Sequence, residues 1–69
     1  MDINWADGFE IKVTQRENET LISANREGLI SLSDILAALA DERSGSHIHL
    51  DGSNSLEDGS AGLIIEKTE

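Results

Sequence analysis

The chain has 69 residues, 38% of them apolar, with 14 acidic against five basic side chains and a formal charge of -9. At this length folding buries only about 60% of the surface the unfolded chain exposes, so a single core is all it can build. The absence of Cys excludes a disulfide staple and a thiolate site, and the negative field repels phosphate backbones and anionic lipid.

Nucleic acid and membranes are therefore not expected partners; a basic protein surface, or a few divalent cations, is what this field favours. The start, Met1-Asp2-Ile3-Asn4, lacks the basic and apolar regions of a secretory signal. Apolar runs such as Leu63-Ile64-Ile65 are far short of the roughly 20 residues that span a bilayer. A cytoplasmic location is the expectation. One domain covers residues 1–69, with residues 1–8 open to forming a short extended piece that turns at Asp7-Gly8 and sets Ile3 and Trp5 on one face.

From Phe9 to Thr14 apolar and polar residues alternate, the period of a strand with one buried face, and Phe9, Ile11 and Val13 point inward. The polar run Gln15 to Glu19 contains turn-tolerant Asn18, and Thr20 to Ala24 resumes β-compatible character, so the spacing predicts a hairpin with Ile22 and Ala24 inside. At Asn25 the period changes. Asn25 suits a helix N-cap and Glu27 the first turn, while Leu29, Leu32, Ile35, Leu36 and Leu39 recur at three- and four-residue steps, predicting one amphipathic helix near Arg26 to Glu42. Gly28 falls on the same stripe, where a missing side chain lets the backbone approach the sheet.

His47-Ile48-His49-Leu50-Asp51 alternates again, with Ile48 and Leu50 inward and both histidines outward. A polar stretch from Gly52 to Gly62 leads to Leu63-Ile64-Ile65-Glu66-Lys67, a final strand with Leu63 and Ile65 inside. The predicted fold is α+β, in the order ββαββ: a four-stranded, largely antiparallel sheet with one amphipathic helix packed on one face. A lone helix leaves the other face open, and its residues are Glu10, Lys12, Thr14, Ser23, His47, His49, Asp51, Ile64 and Glu66.

Several constellations resemble chemistry without completing it. His47-x-His49-x-Asp51 sets two imidazoles on one strand face, within reach of one metal ion, yet a catalytic zinc needs a third ligand, a supporting shell and a dry cavity. In the oxygen-rich stretch from Asp51 to Ser60 an EF-hand register puts Leu56 where glycine is required and Gly62 where the bidentate Glu belongs. Leu56 reads instead as a small apolar anchor. Ser46 and Ser53 lie near the histidines but in no sharp strand-to-helix turn, and paired carboxylates such as Glu57-Asp58 are unspecific without a cleft. Trp5 and Phe9 read as core or edge packing. No catalytic residue, metal ligand or cofactor is assigned.

The segments Ser23-Ala24-Asn25-Arg26-Glu27-Gly28-Leu29, Gly45-Ser46-His47-Ile48-His49-Leu50-Asp51, Asn54-Ser55-Leu56-Glu57-Asp58-Gly59-Ser60 and Leu63-Ile64-Ile65-Glu66-Lys67 carry a resemblance. Together, over roughly residues 20 to 67, the chain resembles a family of small α+β immunity proteins of bacterial polymorphic toxin systems, the one numbered thirty-two. The resemblance implies a non-enzymatic protein that binds and blocks a cognate toxin, and it brings no catalytic residues. An acidic inhibitor is steered onto a basic toxin surface by its field. The candidate contact surface is His47, His49, Asp51, Asn54, Glu57 and Asp58. The competing expectation is a structural or regulatory interaction domain, a homodimer through the open sheet face.

Overall fold

The computed structural model describes residues 3–69, so the readings that involve Met1 and Asp2 lie outside the described residues. Its elements follow the expected order: β1 (Ile11–Arg16), β2 (Glu19–Ala24), α1 (Arg26–Ala40), β3 (His47–Leu50) and β4 (Leu63–Glu66). β1 and β2 pair antiparallel with Ile11 opposite Ala24 and Arg16 opposite Glu19, which leaves Glu17-Asn18 as a two-residue link. So short a link demands unusual backbone, and Glu17 supplies it at φ 31. The segment before β1 is irregular, turning at Asp7-Gly8 where the Phe9 amide donates to the Ala6 carbonyl (3.1 Å). Ile3 and Trp5 both pack against the core, and the Trp5 and Phe9 rings stack at 4.5 Å.

The four strands do not join into the single expected sheet. β1 pairs with β2 and β3 with β4, as two separate antiparallel ribbons. The reason lies in the chain that leads into β4. The Glu57 and Ala61 amides donate to the carbonyls of Ile11 and Val13 (both 2.8 Å), and the Ser60 hydroxyl accepts from the Val13 amide (3.1 Å). Two residues of β1 are thus spanned by four of the loop, because Glu57 to Ser60 closes a turn (3.1 Å) with Gly59 at φ 83. The loop satisfies the β1 edge with an irregular set of donors, so β4 never forms a ladder with β1. The resulting lateral order is β2, β1, the 57–61 segment running into β4, then β3.

Ile11, Val13, Ile35, Ile48, Leu50 and Leu56 form one buried cluster, so both ribbons and the helix share a core. The molecule is only 19 Å through its shortest axis, two layers of secondary structure. Leu56 is buried as expected, held in by three successive amides, Asn54, Ser55 and Leu56, that converge on the Asp51 carbonyl.

The helix presents a narrower stripe than its leucines suggest. Gly28, Ser31, Ile35 and Leu39 are buried, Leu32 is half-buried, and Leu29 and Leu36 are 57% and 48% exposed. The physical cause is Gly28. A Cβ there would fall inside van der Waals contact of the Glu10 carbonyl oxygen and 3.0 and 3.1 Å from Ile11 Cγ1 and Ala24 Cβ. This close approach aims the Gly28 line at the hairpin, and Leu29 and Leu36, one residue further round at about 100° per residue, swing out. Ile22, expected inside, is 44% exposed because β2 is the outer strand.

Both helix ends are tied to distant chain. The Asn25 side-chain oxygen accepts from the Gly28 amide (2.8 Å) and the Glu10 amide (3.0 Å), and its amide nitrogen donates to the Gly8 carbonyl (2.9 Å). The last turn carries no basic residue of its own, yet Lys67 Nζ donates to the carbonyls of Ala40 (2.6 Å) and Glu42 (2.7 Å). A cation supplied across the fold thus meets the negative end of the helix. Buried Ser31 donates to the Glu27 carbonyl and accepts from the Ala6 amide, which straps residues 3–9 to one flank of α1.

Candidate functional site

β3 is where the two histidines gain a defined setting. Ile48 and Leu50 face the core, so His47 and His49 project from the other face, exposed, with ring centroids 5.0 Å apart and edge-to-face. The register sets Glu66 opposite His47 and Ile64 opposite His49. Nδ1 of His47 donates to the Gly45 carbonyl (3.2 Å). The face opposite the helix therefore carries two imidazoles, a carboxylate and an isoleucine in one patch. Ile64, 62% exposed, is the most exposed large apolar side chain among the described residues.

Asp51 follows at the end of β3 and begins a tight loop. Its Oδ1 accepts from the Ser53 hydroxyl (2.7 Å) and the Ser53 amide (2.9 Å). These bonds, first that from the Ser53 hydroxyl, with smaller help from the Asn54 amide and the nearby His49, hold the Asp51 carboxyl below the usual carboxylate range despite slight desolvation. Asn54 points into its own loop: its oxygen accepts from the Asp51 amide (3.0 Å) and the Ser55 hydroxyl (2.5 Å), and its nitrogen donates to the His49 carbonyl (3.1 Å). Its side-chain groups are occupied in shaping the turn.

Glu57 and Asp58 are exposed on the segment that lines the edge of β1. Glu57 borders a shallow depression with Glu10, Lys12 and Ser23, at the far side of the open face from the histidines. The structure brings His47, His49 and Asp51 together, with Asn54 beneath them, and sets Glu57 and Asp58 apart as a second cluster. Sequence reading left Ile64 and Glu66 out of the contact set. Alternation did mark both as outward, but their place beside the histidines follows only from the β3–β4 register.

Charge on this face is largely uncompensated. Among the described residues the one ion pair is Arg26 with Glu27 (3.4 Å), on the helix, and Lys67 is committed to the helix end. Glu10, Asp51, Glu57, Asp58 and Glu66 thus project their field outward, with Lys12 among them. No group of three or more His, Asp or Glu among the described residues gathers to hold a metal ion. Among the described residues no helix is long and apolar enough to cross a membrane. What this arrangement offers is an apolar anchor rimmed by imidazoles and carboxylates, the anatomy of a protein-binding patch.

The model of the family described as Immunity protein 32 matches residues 19–68, which runs from the start of β2 through β4. No curated protein and no solved structure matches the chain.

Proposed function

Because the chain belongs to the Immunity protein 32 family, we propose that it binds a cognate bacterial toxin and neutralises it through the open, acidic face of the β3–β4 ribbon and the adjoining loop. The observation that carries the reading is exposed Ile64 on the face that also carries Asp51 and Glu66, carboxylates without ion-pair partners among the described residues, with Glu57 and Asp58 adding a second acidic cluster at the β1 edge. A toxin with a basic surface is drawn in by the long-range field, and Ile64 supplies the desolvated contact that slows release. His47 and His49 flank Ile64 as donors or acceptors. Asn54 acts by holding the loop in shape.

The role is that of an inhibitor that occludes a site, without turnover and without cofactor, in the cytoplasm of the cell that must be protected. The test is co-expression with the toxin encoded beside this protein. Charge reversal at Asp51, Glu57 and Asp58 together, and Ile64→Asp alone, should each abolish rescue of growth while the variants stay folded. Full rescue by both variants sinks this placement of the contact surface. Affinity for the toxin should also fall steeply as salt rises.

A further inference from the structure

We infer that His47 and His49 together form a surface site for one exchangeable divalent transition-metal ion of the Zn²⁺ and Ni²⁺ class. The site concerns β3 and its immediate neighbours, and it stands whether or not this face meets a toxin.

Strand geometry brings the ligands together. His47 and His49 are two apart in β3, so both leave the sheet on one side, and both are exposed. An imidazole nitrogen binds zinc at about 2.0–2.1 Å, which puts the ring centre about 3.2 Å from the ion and two rings at a tetrahedral angle about 5.2 Å apart. The two ring centroids already stand 5.0 Å apart, their planes at 71°. An ion between them asks for rotation of two exposed side chains and no change in backbone.

The hydrogen bonds leave the needed atoms open. Nδ1 of His47 donates to the Gly45 carbonyl (3.2 Å), which keeps the proton on that nitrogen and leaves the Nε2 lone pair free. A backbone carbonyl behind the ring is a common support for a ligating imidazole. Among the described residues the His49 ring makes no hydrogen bond, and it is the main-chain carbonyl of His49 that accepts from the Asn54 side chain (3.1 Å).

Charge and ligand chemistry narrow the ion. The Lys67 amide donates to the Ser46 carbonyl (2.8 Å), so the next pair along, His47 with Glu66, is a non-hydrogen-bonded one, in which facing side chains stand closest. Glu66 beside His47, Asp51 two residues past His49 and a net charge of -9 all draw a cation to this face. Imidazole nitrogen favours ions such as Zn²⁺ and Ni²⁺ over Mg²⁺, which takes oxygen ligands. No third His, Asp or Glu joins the pair among the described residues, so water takes the remaining positions. Structural and catalytic zinc sites use four or three protein ligands; two make a labile site that fills and empties with the ion's concentration.

Calorimetric titration of the purified, tag-free chain at about pH 7.5, where imidazoles are neutral, tests the inference with ZnCl₂, NiCl₂ and MgCl₂ in separate runs. The expected result is one Zn²⁺ or Ni²⁺ per chain and no saturable heat with Mg²⁺. In NMR, Zn²⁺ should shift the ring-proton resonances of both histidines. His47→Gln and His49→Gln should each weaken binding at least about tenfold and Glu66→Gln by less, with circular dichroism confirming that the variants stay folded. No saturable binding of either ion up to about 1 mM overturns the inference. So does undiminished binding in the double variant, which would assign the ion to surface carboxylates, or full affinity in either single variant. Histidine ring resonances that stay still through a saturable titration of the unaltered chain overturn it without any substitution.

Discussion

Replacing Gly28 by alanine sets two effects of known sign against each other. Helix propensity favours alanine in a helix interior by about 1 kcal/mol. Against it, the new methyl group would press on the Glu10 carbonyl oxygen, which is backbone and already accepts from the Asn25 amide (3.1 Å). Ile11 and Ala24 close off the remaining directions at 3.0 and 3.1 Å. Relief requires the helix to lift off the hairpin, loosening the Asn25 bonds at its start. Overpacking of this kind costs about 1–3 kcal/mol, and immobile neighbours place Gly28 near the upper end. The net expectation is a loss of about 2 kcal/mol, or roughly 8–16 °C in Tm for a domain of this size. Urea unfolding followed by the fluorescence of Trp5, the sole tryptophan, measures it directly. Gly52→Ala is the control: the nearest atom to its Cβ is the Glu57 carbonyl oxygen at 3.8 Å, so it should be neutral or stabilising by up to about 1 kcal/mol. A Gly28→Ala protein as stable as the parent would refute the close-approach argument and with it the account of why Leu29 and Leu36 are exposed.

Asn25→Ala removes an acceptor for two amides and a donor to Gly8, and should destabilise by about 2 kcal/mol; Asn25→Asp keeps the acceptor and should cost about half as much, by the same unfolding assay. Lys67→Met strips the cation from the helix C-terminus, so stability should drop by about 0.5–1 kcal/mol at low salt and by less at high salt. For Asp51 the folded carboxyl is depressed below its unfolded value, so its contribution to the loop is present at neutral pH and is lost as pH falls through the folded value. An acid titration by NMR should show the Ser53 amide resonance moving below the ordinary carboxylate range, and Asp51→Asn should abolish that transition.

The extent to which the site was legible follows from particular residues. His47 and His49 were readable as outward because strict alternation with Ile48 and Leu50 leaves no other choice, and Asn25 was readable as a cap because a short polar side chain precedes the helical period. Asp51 and Asn54 looked like surface acceptors, yet their polar atoms are largely engaged in the loop, since a chain that must bury Leu56 needs its turn amides satisfied first. Lys67 gave no signal as a helix cap. Its partners lie more than twenty residues away in sequence, and only the docking of β4 brings them together.

Local chemistry along the chain determined the order of elements, the inward and outward faces of β1, β3 and β4, the helix start and the predominance of negative charge, because each depends on residues within a few positions of one another. The tertiary structure alone decided that four strands make two ribbons, which helix leucines stay in water, and that Ile64 and Glu66 stand beside the histidines. Those outcomes depend on how the Glu57 to Ala61 segment satisfies the edge of β1 and on how closely Gly28 lets the helix settle. Both are contacts between parts of the chain that no periodicity connects.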